Sequence, residues 1–172
     1  MTIHSVEDLF LSGLQYIYDA EKQLMQGLPE LAAGAGAPQL REAFEQHLRE
    51  TKEHVGRLEE IFKRLGTQPK AQPNAIVQQM RHQAKQMMAD IGLSEIRDAA
   101  LIAAGNQVEH YEMAAYGSLR AFAQLLGHEE VAGILQKTLD EEKRADAKLT
   151  EVGESQVNLQ ALHKSAAAAV AS

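Results

Sequence analysis

Carboxylate and imidazole side chains, the donors that suit iron and manganese, recur in this sequence at positions expected to face a protein core. Glu21 lies four residues after Ile17 and three before Leu24, so it shares their helix face. Glu142 follows Leu139 by three residues in the same way. An ionised carboxylate that is buried alone is strongly destabilising. These positions therefore require a compensating cation.

Two further segments carry inward polar residues near their middles. His47, Glu50 and His54 follow i, i+3, i+7 spacing and line one face of a second helix. Glu109 and Glu112 lie one turn apart in a third helix, in phase with its apolar stripe. In the fourth helix, Asp146 lies four residues after Glu142 and shares its helix face. Since each of four helices directs at least one carboxylate inward, the set predicts a bound metal.

Basic residues offer a structural alternative to a metal. Arg57, Arg97, Arg120 and Arg144 could form salt bridges with inward acids, because paired acids are the commonest buried ones. The recurrence of inward carboxylates on all four helices favours the metal site over separate ion pairs. Both interpretations stay open at the level of sequence.

Four long segments and one short segment have helical periodicity and must position these residues. The long segments span about residues 6–33, 38–65, 94–126 and 129–152, and the short one about 74–89. Short connections favour antiparallel neighbours, and a single long crossover is typical of ferritin-like folds. The sequence thus predicts an all-α, ferritin-like four-helix bundle of two antiparallel hairpins, with the short helix inside the crossover. We expect the bundle to occupy residues 1–155 and residues 156–172 to form a weakly ordered or partly helical tail.

Composition excludes several classes of protein. The 172 residues fit one domain. A net charge of −7 without a basic patch excludes a nucleic-acid surface. The absence of cysteine excludes disulfides, thiolate metal sites and cysteine nucleophiles. The sequence contains no run of 18 apolar residues, so it predicts no membrane-spanning helix. It also shows no signal-peptide pattern. We therefore expect a cytoplasmic protein that does not bind membranes.

Four separated motifs resemble one known family. They are YDAEKQL (18–24), HLRET (47–51), RDAALIAAGNQVEHYEMAAYGSL (97–119) and LDEEKRADAKLTEV (139–152). In this order they closely resemble the YciE/YciF family of bacterial ferritin-like proteins, over about residues 1–155. The resemblance implies a ferritin-like bundle, a homodimer and an association with bacterial stress responses. It does not imply a settled reaction.

The wider ferritin-like superfamily supplies a ligand pattern of one Glu and one Glu-x-x-His pair from each hairpin. Here the residues three positions after Glu50 and Glu142 are Glu53 and Ala145, so the corresponding pairs have i+4 spacing and one His is replaced by a carboxylate. The resemblance implies bridging by Glu50 and Glu142. The implied terminal ligands are Glu21, Glu109 or Glu112, His54 and Asp146. The roles of His47, Glu53 and His110 stay open.

The leading functional hypothesis is a dinuclear iron or manganese protein that reacts with oxygen or peroxide. Tyr18 or Tyr116 could hydrogen-bond a ligand of that centre. One alternative is a non-enzymatic stress or interaction protein with a structural or vestigial metal site. Another is a manganese catalase-like enzyme, which the missing second Glu-x-x-His pair disfavours. Whether the protein is an enzyme is left open.

Overall fold

The computed structural model describes residues 2–170, which are almost entirely helical. The helices in chain order are α1 (Val6–Gly34), α2 (Pro38–Arg64), α3 (Ala75–Asp90), α4 (Ser94–Leu125), α5 (Glu129–Val152) and α6 (Asn158–Val170). A π-helical turn, Gly153–Val157, joins the last two. The described residues contain no strand. The expected all-α class is confirmed.

Local chemistry sets the helix boundaries. α1 begins with a capping box in which the Asp8 backbone N–H donates to Ser5 Oγ at 3.0 Å and the Ser5 N–H donates to Asp8 Oδ2 at 3.1 Å. α2 begins at Pro38, where a missing N–H is harmless. Gly127 has φ 75°, a conformation that favours glycine, and it ends α4 just before α5.

Side-chain contacts show that the two hairpins are antiparallel. In the first hairpin, Tyr18 OH of α1 donates to Glu59 Oε1 of α2 at 2.7 Å, whereas Glu21, further along α1, meets His54, which is earlier in α2. In the second hairpin, the side chain of Asn106 on α4 donates to Thr150 Oγ1 near the end of α5 at 2.9 Å. α1 also packs on α4, and α2 on α5. The predicted ferritin-like four-helix bundle is confirmed.

The crossover carries α3 along the outside of α1 and α4, as predicted. Asn74 anchors its start. The Asn74 N–H donates to Asp19 Oδ2 at 2.8 Å, and its side-chain amide donates to Tyr111 OH at 2.6 Å. The Asn74 side-chain oxygen also accepts from the Val77 N–H at 3.1 Å, which caps α3. The crossover is therefore tied to both hairpins at one point.

The segment after the fourth bundle helix is helical in the structure, where the sequence suggested a weakly ordered or partly helical tail. The π-helical turn buries Val157, and α6 then packs against α4. Lys164 Nζ lies 3.3 Å from Glu95 Oε1 of α4. Leu159 and Leu162 remain exposed. The helix therefore continues because its first turn has an apolar anchor, which the Ala-rich sequence does not reveal.

The core of the bundle is mostly aliphatic above and below a polar layer. Leu14, Leu40, Leu101 and Leu135 are fully buried, as is Phe62. Within residues 2–170, no helix combines the length and the hydropathy that a membrane-spanning segment needs. The polar layer lies near the middle of each bundle helix, and its residues form the candidate metal centre.

Candidate metal centre

Six buried ionisable side chains from all four bundle helices meet in the middle of the core. None is more than 4% exposed. They are Glu21 of α1, His47 and His54 of α2, Glu109 and Glu112 of α4, and Glu142 of α5. Because the surrounding core is apolar, these groups have lost their hydration and must be compensated by one another or by a cation.

The six side chains form two donor groups that share one residue. The outer donor group is His47, Glu109, Glu112 and Glu142, and the inner donor group is Glu21, His54 and Glu142. Within each group, one donor atom per residue lies within 4.8 Å of the others. Each group could hold one metal ion, and Glu142 could contribute one oxygen to each ion.

Contacts in the outer donor group run through the imidazole of His47. Its Nε2 lies 3.2 Å from Glu109 Oε1 and 3.8 Å from Glu142 Oε2. Neither contact has hydrogen-bond geometry, and both ring nitrogens of His47 are without a hydrogen-bond partner among the described residues. Both oxygens of Glu112 and of Glu142 are likewise unpartnered in this part of the chain. An unsatisfied buried polar group is destabilising by about 1–3 kcal/mol, so the group is suited to a cation.

Contacts in the inner donor group run through His54. Its Nδ1 lies 3.0 Å from Glu142 Oε1 and 3.3 Å from Glu21 Oε1. On the other side of the ring, Nε2 is 3.0 Å from Glu141 Oε2. The guanidinium of Arg57 in turn donates two hydrogen bonds to Glu141, one of them at 3.1 Å to Oε1. A carboxylate behind an imidazole fixes the ring of a metal-binding histidine in this way.

Burial raises the pKa of three carboxyl groups of the centre, those of Glu21, Glu109 and Glu112. Burial, reinforced by the charges of neighbouring carboxylates, raises the pKa of Glu112 well above its usual range. Burial also raises the pKa of Glu109 to about 8, although the charge of His47 opposes it. The pKa of Glu21 is raised by burial as well. Metal binding at these carboxylates would therefore release protons.

The two histidines favour their charged forms. Burial alone would lower the pKa of His47, but the carboxylates of Glu109, Glu50 and Glu142 outweigh it and raise the pKa to about 9. Burial would likewise lower the pKa of His54, yet Glu142 and Glu21 raise it to about 11. Imidazolium ions thus supply part of the missing positive charge. A metal ion would displace those protons, because a ligating imidazole must be neutral.

The structure brings together five of the seven residues predicted as ligands and leaves two outside both groups. Glu21, His54, Glu109, Glu112 and Glu142 all belong to the two donor groups. The sequence left open whether Glu109 or Glu112 is the ligand, and the structure places both in the outer donor group. His47, whose role the sequence left open, joins them.

The predicted bridging ligand Glu50 lies at the edge of the centre, outside both donor groups. Its side chain is 26% exposed, and its Oε2 is 3.9 Å from His47 Nδ1. Helix geometry explains the difference. At about 100° per residue, positions seven apart are nearly aligned, whereas positions three or four apart diverge by about 40–60°. His47 and His54 therefore point together, and Glu50 is turned aside.

The predicted ligand Asp146 is also outside both donor groups, one turn beyond Glu142. Its Oδ1 lies 3.2 Å from Nε2 of His110, a mostly exposed residue of α4. Glu53, whose role was open, is exposed and pairs with Arg57 at 3.0 Å. Asp146 is rotated by about 40° around the helix from Glu142 and meets His110 instead of the donor groups.

Two further contacts bear on the predicted tyrosine and on a residue that the sequence did not indicate. Tyr116 OH donates to Glu21 Oε1, so a tyrosine does hydrogen-bond a residue of the centre. Tyr18 instead donates to Glu59. Glu141 was not predicted, since a second acid next to Glu142 would ordinarily face solvent. Its only signal in the sequence is the Glu141–Glu142 pair itself.

Comparison with known proteins assigns this chain to one family. The model of a domain of unknown function, DUF892, matches residues 5–162. The chain is 36% identical over 172 residues to the protein YciF of Escherichia coli strain K12, a match that covers 95% of this chain and 99% of that protein.

Solved structures give the same relationship. The E. coli stress protein YciF has a TM-score of 0.87 at 36% identity, covering 91% of this chain and 99% of that chain. YcfI of Rhodopseudomonas palustris has a TM-score of 0.85 at 37% identity, covering 86% of this chain and 94% of that chain. A protein of Xanthomonas campestris pv. campestris shares the fold, with a TM-score of 0.73 at 21% identity over 93% of this chain and 97% of its own. The predicted resemblance is confirmed: this chain belongs to the DUF892 family of YciF-like proteins.

Proposed function

We propose that this protein binds two iron or manganese ions in the middle of its bundle. The observation that carries the proposal is the position of Glu142. This carboxylate belongs to both donor groups: its Oε1 lies 3.0 Å from His54 Nδ1 and its Oε2 lies 3.8 Å from His47 Nε2, and neither contact has hydrogen-bond geometry. A carboxylate that could bind one ion in each of two sets of His and Glu donors is suited to hard divalent cations. The ligands would be the six residues of the inner and outer donor groups.

Each end of the centre has a distinct arrangement of supporting residues. Glu141 and Arg57 hold the His54 ring from behind, so Nδ1 is directed at the inner donor group. Tyr116 holds Glu21 in the same group. The outer donor group has more carboxylates and fewer restraints. A pair of iron or manganese ions in these groups would supply electrons to dioxygen or peroxide, which is the reaction we propose.

Elemental analysis tests the proposal directly. The purified protein is loaded with Fe²⁺ under anaerobic conditions or with Mn²⁺, desalted and measured; we expect about two ions per chain. Glu142→Gln should lose most of this metal, whereas Glu151→Gln on the exposed side of α5 should not. Fewer than one ion per chain in the wild type, or a Glu142→Gln variant that binds as the wild type does, would contradict the proposal. Circular dichroism confirms that each variant is folded.

The second candidate function is a non-enzymatic stress or interaction protein in which the buried charges only stabilise the fold. The chain Arg57–Glu141–His54 favours it, because two cations there already compensate several carboxylates. The similar YcfI protein is described as a candidate structural protein, and YciF as a stress protein. Metal-dependent consumption of oxygen or peroxide separates the two functions. Oxygen release from peroxide would instead indicate the catalase-like activity, the weakest of the three hypotheses.

We also propose that the protein acts in a bacterial stress response as a homodimer. YciF is described as a stress protein. One face of the bundle presents exposed apolar side chains from the N-terminal region and the crossover, namely Ile3, Leu9, Tyr16 and Ile76. Apolar patches of this kind are suited to association. The cytoplasmic location stays a prediction.

A further inference from the structure

The two donor groups differ in their surroundings. In the inner donor group, all three residues are at most 1% exposed, and the buried hydroxyl of Tyr116 donates to Glu21. The outer donor group instead borders a cavity of about 470 Å³, whose wall includes His47 and Glu109. We name this space the α2–α5 cavity, because nearly all of its lining residues belong to those two helices. The centre therefore adjoins a cavity on its outer side.

The α2–α5 cavity opens to solvent and has no single sign of charge. Its cationic lining residues Arg49, Arg144 and Lys148 are exposed, and the acids Glu42 and Glu50 line it as well. Such a mixed lining favours neither anions nor cations. At about 30 Å³ for each water in the liquid, its volume corresponds to roughly fifteen water molecules. Small neutral molecules can therefore enter it together with water.

Two alanines on facing helices keep the α2–α5 cavity wide. Ala43 of α2 and Ala145 of α5 both line it, and both are only partly buried. A larger side chain at either position would take up part of the space. Ala145 is also the residue three positions after Glu142, where a Glu-x-x-His pair would have its histidine. Alanine at this position removes a possible donor and leaves space beside the centre.

The outer donor group supplies fewer donor atoms than its proposed ion prefers. It offers one donor atom from each of four residues, whereas octahedral coordination by about six donors is typical of manganese. The remaining donors must come from second carboxylate oxygens or from a molecule that enters from solvent. Because His47 and Glu109 belong both to this group and to the wall of the α2–α5 cavity, an entering molecule reaches the outer donor group first.

We propose that Ala145 keeps the α2–α5 cavity open and thereby directs a small neutral reactant, dioxygen or hydrogen peroxide, to the ion of the outer donor group. The ion of the inner donor group is closed to such a molecule. Ala145 is a specificity-determining residue in this sense, since its size decides access and it does not itself bind the ion. The inference rests on the proposed function, because it concerns which of two ions an external molecule reaches.

Water is the probe of access. An Mn²⁺ ion that exchanges a bound water with solvent accelerates the relaxation of bulk water protons, so the relaxation rate per bound ion is measured in the Mn²⁺-loaded full-length protein. Ala145→Phe should lose most of this acceleration and keep the wild-type content of Mn²⁺. Ala43→Phe, which narrows the same cavity from α2, should have the same effect. Ala114→Phe, at an exposed position of α4, should relax water as the wild type does.

The two cavity variants make the test independent of either one. Circular dichroism confirms that each is folded, and elemental analysis gives its content of Mn²⁺. If one of them fails to fold or to bind Mn²⁺, the other decides. Wild-type relaxation rates per bound ion in folded, Mn²⁺-loaded cavity variants would overturn the proposal.

Two ligand variants decide which ion the water reaches. Glu112→Gln changes a residue of the outer donor group only, and Glu21→Gln changes a residue of the inner donor group only. We expect each variant to lose one ion. Glu112→Gln should also lose the acceleration per remaining ion, whereas Glu21→Gln should keep it. The opposite result, or equal rates per remaining ion in both variants, would overturn the assignment to the outer donor group.

Failure of this inference and failure of the proposed function give different results. If the wild type binds no Mn²⁺, the proposed function fails and the inference fails with it. If the wild type binds two ions and the cavity variants relax water as it does, the proposed function stands and only the role of Ala145 is overturned.

Discussion

Replacing Glu112 by methionine should stabilise the metal-free protein. Glu112 is fully buried, neither of its oxygens has a hydrogen-bond partner among the described residues, and burial raises the pKa of its carboxyl group well above its usual range. Methionine has a similar length and no polar atom that needs a partner. Since unsatisfied buried groups are destabilising by about 1–3 kcal/mol, we expect a gain of about 2 kcal/mol in the free energy of unfolding. For a protein of this size, that gain corresponds to roughly 4–8 °C in Tm.

Thermal unfolding followed by circular dichroism, with a chelator and with excess Mn²⁺, measures this effect. Mn²⁺ at about one hundred times its Kd should stabilise the wild type by about 2.7 kcal/mol for each occupied site, and Glu112→Met should lose most of the increment from the outer donor group. Glu109→Met, the same change one turn away, provides the contrast. Glu109 lies 3.2 Å from His47, so its removal leaves a buried imidazole without its nearest carboxylate and should lower the Tm of the metal-free protein. If metal-free Glu112→Met is less stable than the wild type, Glu112 is not an unsatisfied buried group, and if the variant responds to Mn²⁺ as the wild type does, Glu112 is not a metal ligand.

Three further predictions follow from the same contacts. The metal-free protein should lose stability as the pH rises from 5 to 9. The folded state raises the pKa of Glu109 to about 8 and that of His47 to about 9, so in this range it binds more protons than the unfolded state does. Thermal melts across this range should show a falling Tm. The apparent affinity for Mn²⁺ should rise over the same interval, since binding displaces those protons; calorimetry in buffers of different ionisation enthalpy should detect their release. Glu141→Gln should weaken Mn²⁺ binding about 10–100-fold without removing a ligand, and a titration with the affinity of the wild type would show that the contact with His54 is unimportant.

The fold was predictable because its signals are local and redundant. The bundle helices are marked by long stripes of apolar residues, which can be read without any knowledge of tertiary contacts. Pro38 marks a helix start and Gly127 a helix end. The long connection between the second and third bundle helices then restricts the topology. The C-terminal helix was harder to predict, because its order depends on Val157 packing into a surface that only the assembled bundle provides.

The candidate centre was predictable in part, and the predicted ligands that lie outside both donor groups have a feature in common. Glu21 and Glu142 could be identified because apolar neighbours flank them at helical spacing. Spacing of three or four residues places two side chains on the same broad face, and whether both reach the site depends on how that face is turned toward the bundle axis. On α4 the i+3 pair Glu109 and Glu112 both reach the outer donor group. On α2 the i+7 pair His47 and His54 reaches the centre, whereas Glu50 between them does not. Glu141 lies behind the ring of His54, and a contact between helices leaves no periodic pattern in one sequence.

We propose that the inner and outer donor groups hold two metal ions joined by Glu142. Crystals soaked with iron or manganese, measured by anomalous scattering at the absorption edge of that metal, would locate these ions. We expect two anomalous peaks within the bundle, one at His47 and Glu109 and the other at His54 and Glu21, with Glu142 between them. Full soaking that gives no peak in the core, with the same carboxylates paired only to His47, His54 and Arg57, would contradict it.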